Sequence, residues 1–169
     1  FIADHWADPD TVGARGRFRR KAAELGIPAD RIFADGDGLG LPLIDDFRAE
    51  GFPVHSYRGG FPADDTQAFV NLRAQAWRAL ARAIEEKELI LDIDEDTIEQ
   101  LVAPRFQTDA IGRVKIESKE DMAKRGVRSP DRADALVMAW HARRHSGLVR
   151  ELGAWYARHP AQKRAIGRY

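Results

Sequence analysis

"IFADGDGLG", residues 32–40, runs an apolar segment straight into two acids and three glycines. Its first half reads as the end of a short buried strand. Asp35 stands at the tip, and Gly36, Gly38 and Gly40 free the backbone beside it. Such a place suits a divalent cation, a phosphate or a sharp turn. A phosphate-binding Walker loop needs Lys and then Ser or Thr after its last glycine, and here Leu41 and Pro42 follow. A dinucleotide fingerprint needs its third glycine further on than Gly40, and the two acids would repel pyrophosphate. The carboxylates favour a hard cation, which takes oxygen ligands. A structural turn is the competing reading of this stretch taken alone.

The segments on either side alternate between helix and strand. Upstream, residues 11–25 carry Val12, Phe18, Ala22 and Leu25 at roughly helical spacing, and Gly26 stops the helix. Downstream, "LPLIDDFRAEG" reads as a helix ending at Gly51, "FPVHSY" as a second strand and "RGGFPADD" as a loop. The longest helix is expected over about 66–87, where Ala68, Leu72, Ala76, Leu80 and Ile84 recur in fours beside Phe69 and Trp77. "LILDI" is expected to be a short strand. "DEDTIEQLVA" is expected to open a helix with Asp96 and Glu99 at capping-box spacing. "RFQTDAIGRVKIES" reads as a hairpin turning near Ile111 and Gly112, with Val114 and Ile116 facing inward. "KEDMAKRG" is a short helix closed by Gly126. "SPDRADALVMAWHARRH" is a helix with Ser129 as N-cap and Pro130 in first position. Strands alternating with helices, plus a hairpin, imply an α/β fold with a central mixed sheet.

Composition narrows the class. The 169 residues suit one domain and are enough for a sizeable core. With 44% apolar and 32% charged residues the chain reads as soluble and globular. No apolar run reaches the length of a membrane span. The absence of cysteine excludes disulfides and Cys-based zinc sites. Formal net charge is zero, but from Arg143 to Tyr169 seven basic residues stand against Glu151 alone. The rest carries 20 basic and 26 acidic side chains, an acidic body with a basic tail. The tail suits either contact with phosphate or a solvated terminal helix.

A second acidic pair lies in "SPDRADAL". Asp131 and Asp134 are three apart on a helix and share a face. Acids in a first turn also favour the helix dipole, which explains them without any ligand. Asp134, however, interrupts an apolar face containing Leu136 to Met138, and a buried acid is costly unless a cation meets it. "DIDED", residues 92–96, fails the calcium-loop pattern, because Thr97 stands where glycine is required. His5, His55, His141, His145 and His159 show no paired metal spacing. No nucleophile-elbow pattern is present. Lys115, Lys119 and Lys124 lie among acids and suit either phosphate contact or local ion pairs.

The succession "IFADGDGLG", "GFPVHSYRGG", "FVNLRAQAWRAL" and "RVKIESKEDMAKRGVRSPDRADALVMAW" resembles the C-terminal nuclease domain of the large terminase subunit of tailed bacteriophages, over about residues 10–142. The last segment is the most specific. The resemblance implies an RNase H-like fold whose acids, at strand and helix ends, bind two Mg²⁺ or Mn²⁺ ions. It implies an endodeoxyribonuclease that cuts concatemeric viral double-stranded DNA in the host cytoplasm. Its implied partners are an N-terminal ATPase domain of the parent chain, the small terminase subunit and the portal. Asp35 matches the family's strand-end acid and Asp134 its last-helix acid. Asp131, of Ser-Pro-Asp, is expected to bind metal or to orient a ligand. Arg58, Lys115, Lys119 and the tail arginines are candidates for the DNA backbone.

The family's first acid lies on a strand before this region, so residues 1–145 are expected to form an RNase H-like domain lacking its first strand or strands. Residues 146–169 would form a basic helical tail. The alternatives are another RNase H-like enzyme, such as a resolvase or transposase, or a non-catalytic module that binds DNA or the portal.

Overall fold

The computed structural model of the chain describes residues 10–37 and 40–145. The expectations for residues 1–9, for Gly38 and for the basic tail at 146–169 lie outside the described residues.

Helix α1 (Thr11–Glu24) starts where the Asp10 carboxylate accepts the Gly13 N–H at 2.6 Å, and it ends ahead of Gly26 at φ +63°. Strand β1 (Phe33–Asp35) pairs in parallel with β2 (His55–Tyr57), and helix α2 (Gly40–Ala49) makes the crossover between them. The register sets Phe33 opposite His55, Ala34 opposite Ser56 and Asp35 opposite Tyr57. The Gly36 N–H extends the ladder by donating to the Tyr57 carbonyl at 2.7 Å. One small core, of Ala22, Ile32, Phe47 and Val54, fills the space between α1, α2 and this strand pair. Phe18 and Phe52 close on the Phe47 ring at 5.7 and 5.4 Å.

Helix α3 (Leu72–Glu85) is shorter than the expected 66–87. Residues 65–70 are held in other ways. The Asp65 carboxylate accepts the N–H groups of Gln67 and Ala68, and residues 68–70 exchange backbone hydrogen bonds with Val114. The Asn71 side chain then caps the helix on the Ala74 N–H at 2.9 Å. Ala76, Trp77 and Leu80 are buried as expected, whereas Ile84 is exposed and Ala68 lies outside the helix.

"LILDI" is not a strand. Leu89 and Leu91 lean on the core while Ile90 faces solvent, so the alternation is real but no strand pairs with it among the described residues. Helix α4 (Glu95–Val102) is capped by Asp94 and not by Asp96. Asp94 accepts both the N–H and the hydroxyl of Thr97, each at 2.8 Å, so the cap acts two residues earlier than the capping-box spacing suggests.

The hairpin is present as β3 (Phe106–Thr108) antiparallel to β4 (Val114–Ile116). The Asp109 carboxylate ties its turn to the N–H groups of Ile111 and Arg113. Helix α5 (Lys119–Lys124) is capped by Ser118, and Gly126 closes it at φ +73°. Helix α6 (Asp131–His145) begins with the Asp134 N–H donating to the Pro130 carbonyl at 2.7 Å. Ser129 does not cap through a backbone N–H; its hydroxyl donates to the Asp131 carboxylate at 2.6 Å.

α3 packs along α6, and the larger core lies between them. Tyr57, Trp77, Leu80, Ile116, Leu136, Val137 and Trp140 all belong to it. The fold is therefore mixed α/β. Among the described residues its parallel and antiparallel pairs form two small sheets instead of one continuous one. No helix among them is long and apolar enough to cross a membrane.

Candidate metal centre

The C-terminal tip of β1 and the first turn of α6 meet at one cavity of about 600 Å³. Asp35, Asp37, Tyr57, Arg73, Lys119 and Asp134 all line it. Asp35 and Asp37 arrive together because the Asp35 carboxylate accepts the Asp37 N–H at 3.0 Å, which turns the chain back on itself. The Asp37 carboxylate in turn accepts the Gly60 N–H at 3.1 Å and fastens this turn to the loop after β2.

Two glycines of the opening motif, Gly36 and Gly40, are explained by space. A Cβ on Gly36 would collide with the Ser56 hydroxyl, and one on Gly40 would run into the Asp35 carbonyl. Neither position tolerates a side chain while β1, β2 and α2 pack this closely.

Asp134 is the acid that the apolar pattern of α6 marked as needing a cation, and it has two. Its Oδ1 accepts from Trp77 Nε1 at 3.0 Å and from Arg73 Nε and Nη2, both at 3.3 Å. Its Oδ2 faces Lys119 Nζ at 3.2 Å. Arg73 is fixed further by donating from Nη1 to the Glu117 carbonyl at 2.9 Å. Partial burial works against the Lys119 charge, yet the Asp134 and then the Asp131 carboxylate hold its ammonium above the ordinary lysine value.

Beneath these charges lies Tyr57. Its side chain is buried, and its hydroxyl has no hydrogen-bond partner among the described residues. Burial pushes that hydroxyl well above the ordinary tyrosine range. Asp134 adds to the shift, Arg73 opposes it, and Asp35 and Asp37 add to it further. The His141 ring meets the Tyr57 ring edge-on at 5.4 Å and holds it in place.

The other candidates sit apart from this cavity or at its margin. Asp131 is exposed. It accepts from Ser129 and faces Lys119 at 3.5 Å, so it touches the cavity only through that lysine. Arg58 lies over the Phe61 ring at 4.9 Å. Lys115 is exposed on β4. Glu117 is buried and bound by Arg125 through two hydrogen bonds of 2.7 and 2.6 Å.

Comparison with known proteins points one way. No family model matches the chain. It is 32% identical over 118 residues, 67% of its length, to a probable large terminase subunit of Enterobacteria phage P7. The chain spans about a quarter (24%) of that relative. Among solved structures, the nuclease domain of the large terminase subunit of bacterial virus Sf6 superposes with a TM-score of 0.58. It is 25% identical, over 72% of this chain and 68% of the Sf6 domain. A mutant of the Sf6 domain solved with manganese and beta-thujaplicinol superposes over 83% of this chain and 76% of that one, with a TM-score of 0.65 and 24% identity. Other structures of the Sf6 domain hold manganese or calcium.

This is the phage terminase nuclease fold.

Within the terminase nuclease fold of this chain, the carboxylates of Asp35, Asp37 and Asp134 bring hard oxygen donors to the cavity, the chemistry that divalent cations of the magnesium, manganese and calcium kind require. Among the described residues, no three acidic or histidine side chains stand close enough to hold an ion as they are placed. Asp134 is engaged by Arg73 and Lys119. The residues would fit a cation if Lys119 moved away from Asp134 Oδ2, since among the described residues no ion pair engages Asp35 or Asp37.

Sequence reasoning passed over Arg73, Trp77 as a hydrogen-bond donor, and Tyr57. Trp77 read as core, and its ring is indeed buried; only its indole N–H reaches the acid. Tyr57 read as a strand residue. The available signal was its place at the end of a strand parallel to the one that ends in Asp35.

Proposed function

We propose that this chain is the metal-dependent endonuclease domain of a phage DNA-packaging terminase. It cuts concatemeric double-stranded DNA in the host cytoplasm, alongside an ATPase domain, a small terminase subunit and a portal. The observation that carries this reading is the convergence of Asp35 and Asp134, far apart in the chain, on one cavity. The sequence likeness to a probable large terminase subunit and the structural likeness to the Sf6 nuclease domain support it.

Asp35, rigid at its strand end, and Asp134, on α6, hold Mg²⁺ or Mn²⁺, with Asp37 beside them and two ions in the working state. Ions bound there would supply positive charge to the oxygen of the attacking water and to the leaving oxygen of the phosphodiester. Arg73 and Trp77 fix the orientation of Asp134 through its Oδ1. Lys119 neutralises Asp134 Oδ2 in the resting protein and is positioned to turn toward a phosphate when released. Asp131 orients Lys119. Arg58, Lys115 and the basic tail contact the DNA backbone, which makes binding dependent on salt and only weakly on sequence.

The test is cleavage of supercoiled plasmid in Mn²⁺ and in Mg²⁺ by this chain and by an N-terminally extended one. Cleavage abolished by Asp35→Ala and by Asp134→Ala is the expected result. Cleavage that survives both substitutions, or no cleavage by either chain, refutes the nuclease reading.

A further inference from the structure

We infer that Tyr57 is a positioning residue of the cation site, and that its hydroxyl donates a hydrogen bond to a water molecule coordinated to the cation held between Asp35 and Asp134. This rests on the metal reading proposed above and adds to it a group that the acidic motifs do not reveal.

Three observations carry it. First, the parallel register sets Tyr57 directly beside Asp35, and paired residues on adjacent strands project to the same face. Second, the two side chains line the same cavity with Asp37 and Asp134, so the ring reaches the space that the carboxylates surround. Third, Tyr57 is only 7% exposed, yet its oxygen has no partner among the described residues. A buried hydroxyl without a partner costs stability, and natural proteins rarely keep one without a ligand or an ordered water to satisfy it. The cavity that Tyr57 lines is built largely from acids.

The side chain's own chemistry selects the donor role. A phenol is an O–H donor at neutral pH and offers its proton to an oxygen. The aromatic ring meets His141 edge-on at 5.4 Å, which fixes the position of the hydroxyl oxygen. A phenylalanine would keep the ring, the packing against His141 and the apolar floor, and would lose only the donor.

The test is calorimetric titration of Mn²⁺ into the full chain, its Tyr57→Phe variant, a Ser56→Ala control and Asp35→Ala, together with metal-free melting curves. Ser56 also has a buried hydroxyl without a partner, but it does not line the cavity. The expected result is Mn²⁺ binding weakened about 3- to 10-fold in Tyr57→Phe, as for the loss of one net hydrogen bond. The metal-free melting temperature of that variant should be unchanged or higher, and Ser56→Ala should bind Mn²⁺ as the unaltered chain does.

Unchanged Mn²⁺ affinity in Tyr57→Phe, while Asp35→Ala abolishes binding, would overturn the role of Tyr57 and leave the metal reading standing. A Tyr57→Phe variant that fails to fold, or that melts lower with equal affinity, would make the hydroxyl structural and overturn the inference as well. If the unaltered chain gives no Mn²⁺ heat, the metal reading and this inference fall together.

Discussion

Asp134 shows how one residue decides between a structural and a chemical role. In a first turn it needs no explanation beyond the helix dipole, but it is also four-fifths shielded and receives Trp77, Arg73 and Lys119. Lys119 and a divalent cation compete for the same oxygen. Lys119→Ala is therefore expected to tighten Mn²⁺ binding while lowering cleavage. A partly exposed ion pair contributes about 0.2–1 kcal/mol, so the gain should be at most about 5-fold. Calorimetry and plasmid cleavage on the same variant check both halves. Asp134 was legible as an acid out of place on an apolar face. Its partners were not, because Arg73 and Trp77 reach it only through the packing of α3 on α6, which no local pattern records.

At the scale of elements, the tip of β1 depends on closeness more than on any one contact. Gly36→Ala would drive a methyl group into Ser56 and separate the end of β1 from β2. Overpacking of this kind typically costs about 1–3 kcal/mol. Here it should also weaken Mn²⁺ binding, since Asp35 precedes the altered residue. Leu80→Ala makes the contrast. It empties a fully buried site in α3 at a cost of about 2–5 kcal/mol, yet should leave the Mn²⁺ affinity of the folded protein nearly unchanged. Denaturant melts paired with calorimetry separate the two outcomes. The turn residues and helix stops were legible, and Gly26, Gly112 and Gly126 all adopt the positive φ that such stops require. The start of α3 was not. Apolar spacing continues through Ala68 and Phe69, and only the bridge to Val114, distant in sequence, shows that these residues are extended. "LILDI" misled for a related reason: alternation marks a strand only where a neighbour exists to pair with it.

For the molecule as a whole, two cores meet at the candidate site. One is gathered by α1 and α2 around the parallel pair, the other by α3 and α6. Several carboxyls that brace the second core and its margins are held below their ordinary values. For Glu117 the Arg125 hydrogen bonds prevail over desolvation. For Asp94 the Thr97 N–H is the largest cause, for Asp121 the Lys124 hydrogen bond, and for Asp109 Arg113 overcomes an opposing effect of burial. A carboxyl depressed in the fold stabilises it fully above its unfolded value and loses that contribution as pH falls through the folded value. The melting temperature should therefore drop as pH falls below about 4, and Glu117→Gln should flatten the drop while lowering stability at neutral pH. A pH series of melting curves checks this. DNA binding, if it is made through the backbone as proposed, should weaken steeply between about 50 and 200 mM salt.

The most direct test of the central claim is the anomalous difference map of a crystal soaked in Mn²⁺. If Asp35 and Asp134 share a cation, a manganese peak lies within about 2.0–2.6 Å of a carboxylate oxygen of each, with Lys119 swung away from Asp134. A map in which manganese binds neither residue, with Lys119 still on Asp134, would contradict it.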